Sequence, residues 1–371
     1  MRTLVVTNDF PPRPGGIQAY VHGLAARQPA GEIVVYASSW EPGDVAGFDA
    51  AQPFPVVRDK ASVLLPTPRV VRSVREVARS EGCDRVWFGA VAPLALMASQ
   101  LDLTRALGST MGHEIGWARL PGAASLLRRM SESLDVVTHL SHYTGVRLAR
   151  SLPHAELVHL PSGVDTTAFH PSIDGEIVRR RYGLVSRPVV VCVSRVVARK
   201  GQDQLVRAFS LVQQRIPEAA LLIVGGGPML PKLKRQVESM GLERDVVLTG
   251  EVPWPELPLH YAAGDVFAMT CYDRVAGLEV EGLGIVFLEA AATGLPVVAG
   301  RSGGTSDTVQ EGVTGYLVDG TSTAEVAARI SALLADPQAA RAMGAAGRRW
   351  MESEWQWDVL ATRLRGLLAG T

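Results

Sequence analysis

The chain has 371 residues, 47% hydrophobic and 20% charged, and its 37 lysines plus arginines are matched by 37 aspartates plus glutamates. At about 150 residues per domain this length predicts two domains with full cores. The zero formal charge argues against a nucleic-acid binder, which carries a basic excess.

The three scattered cysteines, Cys83, Cys192 and Cys271, form neither a disulfide framework nor a metal cluster. The longest apolar run, Val86 to Ala98, contains Gly89 and Pro93 and falls short of the ~20 residues a bilayer span needs. Thr3 to Thr7 ends at once in Asn8-Asp9, too short for a signal-peptide core, so a cytoplasmic protein is expected.

Short apolar runs alternate with helical stretches along the whole chain, the pattern of parallel α/β sheets. In the first half, strands are expected at Thr3–Thr7, Ile33–Ala37, Arg85–Phe88 and Val136–Leu140. Asn8 to Gly16 reads as a turn, and a helix starts near Ile17. In the stretch from Arg69 to Arg79, the arginines at 69, 72, 75 and 79 share one helical face and Val70, Val74 and Val77 the other. A solvated face over a valine stripe accounts for that pattern; a surface for anionic lipid headgroups accounts for it too. Ser141 is placed to cap the next helix.

Pro161 to Asp165 reads as an interdomain connection. Beyond it, strands are expected at Pro188–Val193, Ala220–Val224, Val246–Leu248, Val266–Met269 and Pro296–Ala299, apolar enough to be buried on both faces. Helices are expected over about Asp203–Gln214, Glu325–Leu334 and Trp355–Leu368. Two Rossmann-like halves imply ligands at the carboxyl ends of their strands.

Four segments disobey their local structural logic. Ser194 to Gly201 (SRVVARKG) crowds Arg195, Arg199 and Lys200 at a helix amino-terminus, where the dipole prefers anions. A solvated loop is one reading; a phosphate site, with Arg195 and Lys200 adding charge to free amides, is the other. From Leu278 to Ala292 (LEVEGLGIVFLEAAA), Glu289 sits inside an apolar helix, where an unpaired carboxylate is costly to bury. Glu281 lies eight residues earlier, beside Gly282 and Gly284, which let backbone approach a ligand. A purely structural role would pair Glu289 with a buried arginine or a backbone amide; sugar hydroxyls are alternative partners.

Gly15-Gly16 opens a helix without the full dinucleotide-binding spacing, and Gly225-Gly226-Gly227 is a similarly weak signal. His113, in Gly112-His-Glu-Ile-Gly116, is flanked by glycines that bring backbone near a substrate. The chain has no Asp-x-Asp, no metal-ligand spacing, no Walker loop and no G-x-S-x-G elbow, so no metal is implied.

Arg195 with Lys200, and Glu281 with Glu289 in an E-x7-E arrangement, resemble the retaining glycosyltransferases of the GT-B fold, family four, over essentially the whole chain. Asn8 to Pro12, Leu64 to Pro68, Val86 to Gly89, Ala92 to Met97 and Val280 to Ile285 are similar to the actinobacterial subgroup that uses GDP-mannose on phosphatidylinositol monomannoside. The resemblance implies an α/β GT-B fold: an acceptor-binding Rossmann-like domain over 1–167, a nucleotide-sugar domain over 168–350 facing it across a cleft, and a tail helix, 351–371, crossing back.

It further implies that Arg195 and Lys200 grip the donor diphosphate, with the Gly16 amide on the same phosphates. Glu281, with the backbone of Gly282, Leu283, Gly284 and Ile285, would hold the donor sugar. Glu289 would hold the ribose, and Val252 would lie against the base. His113 would sit by the reacting carbon, while Gln18 and Asp9 would face the acceptor. No metal or other cofactor is implied beyond the nucleotide-sugar donor, which the resemblance gives as GDP-mannose. The sequence departs from the subgroup at Met111 and across Cys271 to Gly277, beside the implied sugar and acceptor positions.

The implied reaction moves mannose to a phosphatidylinositol mannoside at an anionic membrane surface, with the protein peripheral on the inner face of the plasma membrane. One alternative is the same mechanism on a soluble acceptor, an aminocyclitol, pseudo-sugar or other small polyol. A third reading is a non-catalytic nucleotide-sugar binding subunit; the joint presence of His113, Arg195, Lys200, Glu281 and Glu289 speaks against it.

Overall fold

Alternate residues of the first strand feed two different cores. In this computed structural model, which describes every residue except 41–43 and 278, Leu4 and Val6 pack with Val34, Val86 and Phe88 on one face of the sheet. Val5 packs with Ile33, Val35 and Trp87 on the other. A strand buried on both faces must be apolar throughout, which is what makes such runs conspicuous in the sequence.

The chain divides into two units, Met1–Gly163 with Trp357–Thr371, and Val164–Gln356; residues 164–167 and 351–356 thus group with the second. The first unit carries β1 (Thr3–Thr7), β2 (Ile33–Ala37), β3 (Val56–Arg58), β4 (Arg85–Phe88), β5 (Arg105–Thr110), β6 (Val136–His139) and β7 (Glu156–His159). They form one sheet in the order β3-β2-β1-β4-β5-β6-β7, every pair parallel. The second unit carries β8 (Val189–Val193), β9 (Ala220–Val224), β10 (Val246–Gly250), β11 (Val266–Met269), β12 (Val297–Gly300) and β13 (Gly315–Val318). Their order is β10-β9-β8-β11-β12-β13, again parallel. In each sheet the strand order reverses beside the first strand, at β1/β4 and β8/β11, and ligands of such sheets bind beyond the carboxyl ends at that point.

Four strands escape the sequence reading: β3, β5, β7 and β13. β5 (RALGST) is the instructive one, because it lies inside the sheet yet carries no apolar run. Hydroxyls make its burial tolerable: the Trp87 indole N–H donates to Ser109 Oγ at 2.9 Å, Thr138 Oγ1 donates to the same oxygen at 2.8 Å, and Thr110 Oγ1 donates to the Thr138 carbonyl. Buried polar groups are accommodated when paired in this way.

The tail helix, Trp357–Ala369, belongs to the first unit and buries Leu360, Leu364 and Leu368 in the core that holds Val5, Tyr20 and Leu24. Gly23 and Gly163 make room for Trp357: a Cβ on either would lie within 3.0 Å of its ring. As expected, Ser141 caps the 142–148 helix, its hydroxyl accepting from the Thr144 amide at 3.3 Å.

Candidate functional site

In the second unit, β8 runs directly into the cationic loop. Gly201 adopts a left-handed φ of 72°, and a Cβ there would strike the Thr270 carbonyl oxygen at 2.0 Å, so only glycine fits. Thr270 Oγ1 donates to the Gly201 carbonyl at 2.6 Å, and Gln202 Nε2 donates to Ser194 Oγ at 2.7 Å and to the Arg195 carbonyl at 3.2 Å. These bonds fix the loop from Ser194 to Gln202 against the end of β11.

The two implied phosphate cations are not equivalent. Arg195 is exposed, whereas Lys200 is buried and directs its Nζ at Glu281 Oε2, 2.7 Å away, in an ion pair whose side chains are 10% and 9% accessible. Of the two, only Arg195 stands open to solvent, while Lys200 is already engaged. Sequence separation conceals this pairing; the fold brings residues 200 and 281 together beyond β8 and β11.

Glu281 is held at its backbone as well. Its N–H donates to Ser302 Oγ at 3.1 Å, and its carbonyl accepts from the Gly304 amide at 2.8 Å. Downstream, Gly284 takes a φ of 92° at the amino-cap of the helix Ile285–Ala292, leaving Gly282, Leu283 and Ile285 around the first turn. Leu278, the first residue of the segment singled out in the sequence, lies outside the described residues.

Glu289 projects from the half-buried side of that helix, and among the described residues neither an arginine nor a backbone amide meets it. The Tyr261 hydroxyl, itself fully buried, donates to Glu289 Oε2 at 2.6 Å. Burial pushes the Glu289 carboxyl above its usual range, opposed by the Tyr261 hydrogen bond and by the charge of Lys200. No pattern in the sequence links Tyr261 to Glu289; only the packing of the 257–262 helix against β8 and Phe267 does so.

A pocket of about 650 Å³ opens beside these groups, walled by Arg195, Gly225, Glu251, Val252 and Glu289. The Gly225–Gly227 turn, a weak signal in sequence, is a wall of that pocket. Its glycines are demanded by close backbone approach: a Cβ on Gly225 would lie 2.1 Å from the Ser194 carbonyl oxygen, and one on Gly227 2.4 Å from that of Val196. The pocket thus offers an apolar contact at Val252, one cation, Arg195, and two carboxylates, Glu251 and Glu289.

In the first unit, Gln18 Nε2 donates to Asp9 Oδ1 at 2.7 Å, and an Arg13 guanidinium nitrogen stands 3.8 Å from the same oxygen. Gly15 permits that arrangement, since a Cβ there would meet Gln18 Oε1 at 2.2 Å. A Cβ on Gly16 would meet nothing within 4 Å, so its backbone stands open. The structure thus joins the two acceptor candidates by a hydrogen bond.

His113 stands exposed on the loop after β5. The adjacent Glu114, fully buried, escaped the sequence reading. Its Oε2 accepts from the Met111 and Gly112 amides, each at 3.0 Å, and its Oε1 lies 3.3 Å from His113 Nε2. Burial pushes the Glu114 carboxyl up, with the facing His113 opposing. The available signal was a glutamate directly before Ile115, which turns into the core.

Comparisons with known proteins extend this picture. The family profile described as Glycosyl transferases group 1 matches residues 176–350. A protein of Mycolicibacterium smegmatis named GDP-mannose-dependent alpha-(1-6)-phosphatidylinositol monomannoside mannosyltransferase is 48% identical over 374 residues, covering 99% of this chain and 98% of that protein. A Corynebacterium glutamicum protein, named as the enzyme for the monoacylated form of that acceptor, is 42% identical over 99% of this chain and 97% of its own length. Among solved structures, Anabaena HepE in complex with UDP superposes with a TM-score of 0.81 at 19% identity, covering 100% of both chains, which shows the GT-B fold. The chain belongs to the family of GDP-mannose-dependent phosphatidylinositol monomannoside mannosyltransferases, within the group 1 glycosyl transferases.

Proposed function

We propose that the protein is a retaining glycosyltransferase that moves mannose from GDP-mannose to a phosphatidylinositol mannoside. The observation that carries this reading is the 48% identity, over 98% of its length, to a relative named for that activity. The second-unit site supports it with the chemistry a sugar nucleotide needs: Arg195 and Val252 around one pocket, Glu289 within it, and Lys200 with Glu281 beside the same loop.

In this reading Arg195 and Lys200 take the diphosphate and stabilise the charge that builds as the sugar leaves. Glu281 and the amides from Gly282 to Ile285 hold the sugar, Glu289 the ribose, and Val252 the base. Gly16 contributes its amide to the phosphates, and His113 supports the sugar as positive charge develops on it. The bond from the sugar C1 to the phosphate oxygen breaks with its electron pair staying on oxygen. The acceptor hydroxyl oxygen bonds to C1 on the same face, and its proton passes to the departing phosphate, so no protein base is required. Gln18 and Asp9 orient the acceptor. The side-chain cations supply the charge stabilisation, and no resident metal or other cofactor is invoked.

A membrane-surface site is the finer part of the proposal. Among the described residues no helix is long and apolar enough to cross a membrane, so a lipid acceptor is reached from the surface. The helix Pro68–Ser80 supports this with exposed Arg72 and Arg79, preceded by Val63 and Leu65, which are 57% and 51% exposed. The reading places the protein peripherally on the inner face of the plasma membrane.

The test is an incubation with GDP-mannose and phosphatidylinositol monomannoside, with products read by mass spectrometry. One added hexose on the lipid is expected. Transfer confined to a soluble aminocyclitol or polyol would refute the lipid acceptor and keep the transferase.

A further inference from the structure

We infer that the Lys200–Glu281 ion pair competes with the donor's diphosphate for Lys200, and thereby favours the intact sugar nucleotide over the nucleoside diphosphate product. This rests on the donor reading above. Lys200 directs its ammonium at a single carboxylate oxygen of Glu281, 2.7 Å away, and no hydrogen-bond donor among the described residues otherwise meets that oxygen. Both side chains are about nine-tenths buried, and neither lines the open pocket that Arg195 and Glu289 share. A phosphate can gain Lys200 only by parting the pair.

Parting a buried ion pair leaves each charge in need of a new partner, and an uncompensated buried charge is strongly unfavourable. The sugar nucleotide compensates both ends together: its phosphates meet Lys200, and its sugar hydroxyls donate to Glu281. A nucleoside diphosphate compensates only Lys200. Glu281 is then stranded as a buried carboxylate close to a second anion. Once the sugar has been transferred, the pair therefore re-forms and helps to release the product.

The charge of Glu281 thus opposes binding of the bare diphosphate, and its removal should tighten that binding while ending transfer. The experiment is calorimetric titration of the full chain with GDP and with GDP-mannose. In Glu281→Gln, GDP binds about tenfold more tightly than in the unaltered protein, and GDP loses its disadvantage against GDP-mannose. Glu281→Asp keeps the charge on a shorter arm, lengthens the pair and tightens GDP about threefold, which decides the matter if the glutamine variant does not fold. GDP affinity unchanged or weakened in the folded variants overturns the inference and leaves the donor reading standing. Absence of GDP and GDP-mannose binding to the unaltered protein overturns the donor reading itself.

Discussion

A carboxylate inside an apolar helix is tolerable only if something shares its cost, and at Glu289 that something is the Tyr261 hydroxyl. With one carboxylate oxygen engaged, the carboxyl is oriented at the edge of the pocket that also holds Arg195 and Val252. Tyr261→Phe removes one hydrogen bond to a charged group and little volume. If Glu289 holds the ribose, the KM for GDP-mannose rises about fivefold to tenfold while kcat stays within about twofold; steady-state kinetics reads this, and an unchanged KM would separate Tyr261 from donor binding. Glu114 shows the same logic beside His113: a buried carboxylate that takes two backbone amides also faces an exposed imidazole. His113, Glu281 and Glu289 were legible in sequence because each breaks a local rule. Their partners Glu114, Lys200 and Tyr261 were not legible as partners, because pairing across 81 positions, as for Lys200 and Glu281, leaves no periodic trace.

The Pro68–Ser80 helix shows how far an amphipathic pattern reaches. Of the expected stripe, Val70 and Val74 are buried in the core while Val77 is only partly covered, and Val71, outside that stripe, is buried instead. The arginine face is divided by the tertiary structure: Arg69 makes two hydrogen bonds to Asp59, at 3.0 and 2.9 Å, and Arg75 Nε donates to the Gln100 carbonyl at 2.6 Å. Of the four arginines, Arg72 and Arg79 are exposed and make no ion pair among the described residues. Arg72→Glu with Arg79→Glu should therefore abolish salt-sensitive sedimentation with anionic vesicles, as the membrane reading requires, while activity on a detergent-dispersed acceptor persists. Unaltered sedimentation would move the lipid surface elsewhere. Asp59 has a separate, structural consequence. Burial pushes its carboxyl up, but Arg69, Tyr36 and the Ala61 amide outweigh this and hold it at about 2, against an ordinary 3.8. A depressed carboxyl adds stability above its ordinary value, and that stability is lost as pH falls from 3.8 towards 2. Arg69→Met should destabilise the fold at neutral pH, and the loss should shrink as pH falls through 3.8 towards 2, where Asp59 becomes increasingly protonated in both states. Denaturant unfolding at the two ends of that range reads the difference; an equal loss at both would assign it to packing.

Across the whole molecule, the first unit is completed by residues from the far end of the chain. Gln28 Nε2 donates to the Ala361 carbonyl at 3.1 Å, and Arg105 Nε donates to that of Leu367 at 2.7 Å. Deleting residues 357–371 uncovers the core against which Leu360, Leu364 and Leu368 pack. At roughly 2 kcal/mol for each buried leucine, the loss approaches the whole stability of an ordinary domain. Early proteolysis within residues 1–163 is expected, with 164–356 protected; equal resistance of both units would contradict the first unit's dependence on the tail. By itself the sequence determined the α/β class, most of the central strands, and the rule-breaking residues His113, Arg195, Lys200, Glu281 and Glu289. Those features arise from local patterning, where burial on both faces demands continuous apolar runs and a misplaced charge stands out. Only the tertiary structure decided that β5 lies inside its sheet, that Lys200 is bonded to Glu281, that Tyr261 holds Glu289, and that two of four arginines are spoken for. Each of those depends on satisfying a buried polar group with a partner distant in sequence, and such a partner is chosen by the folded geometry.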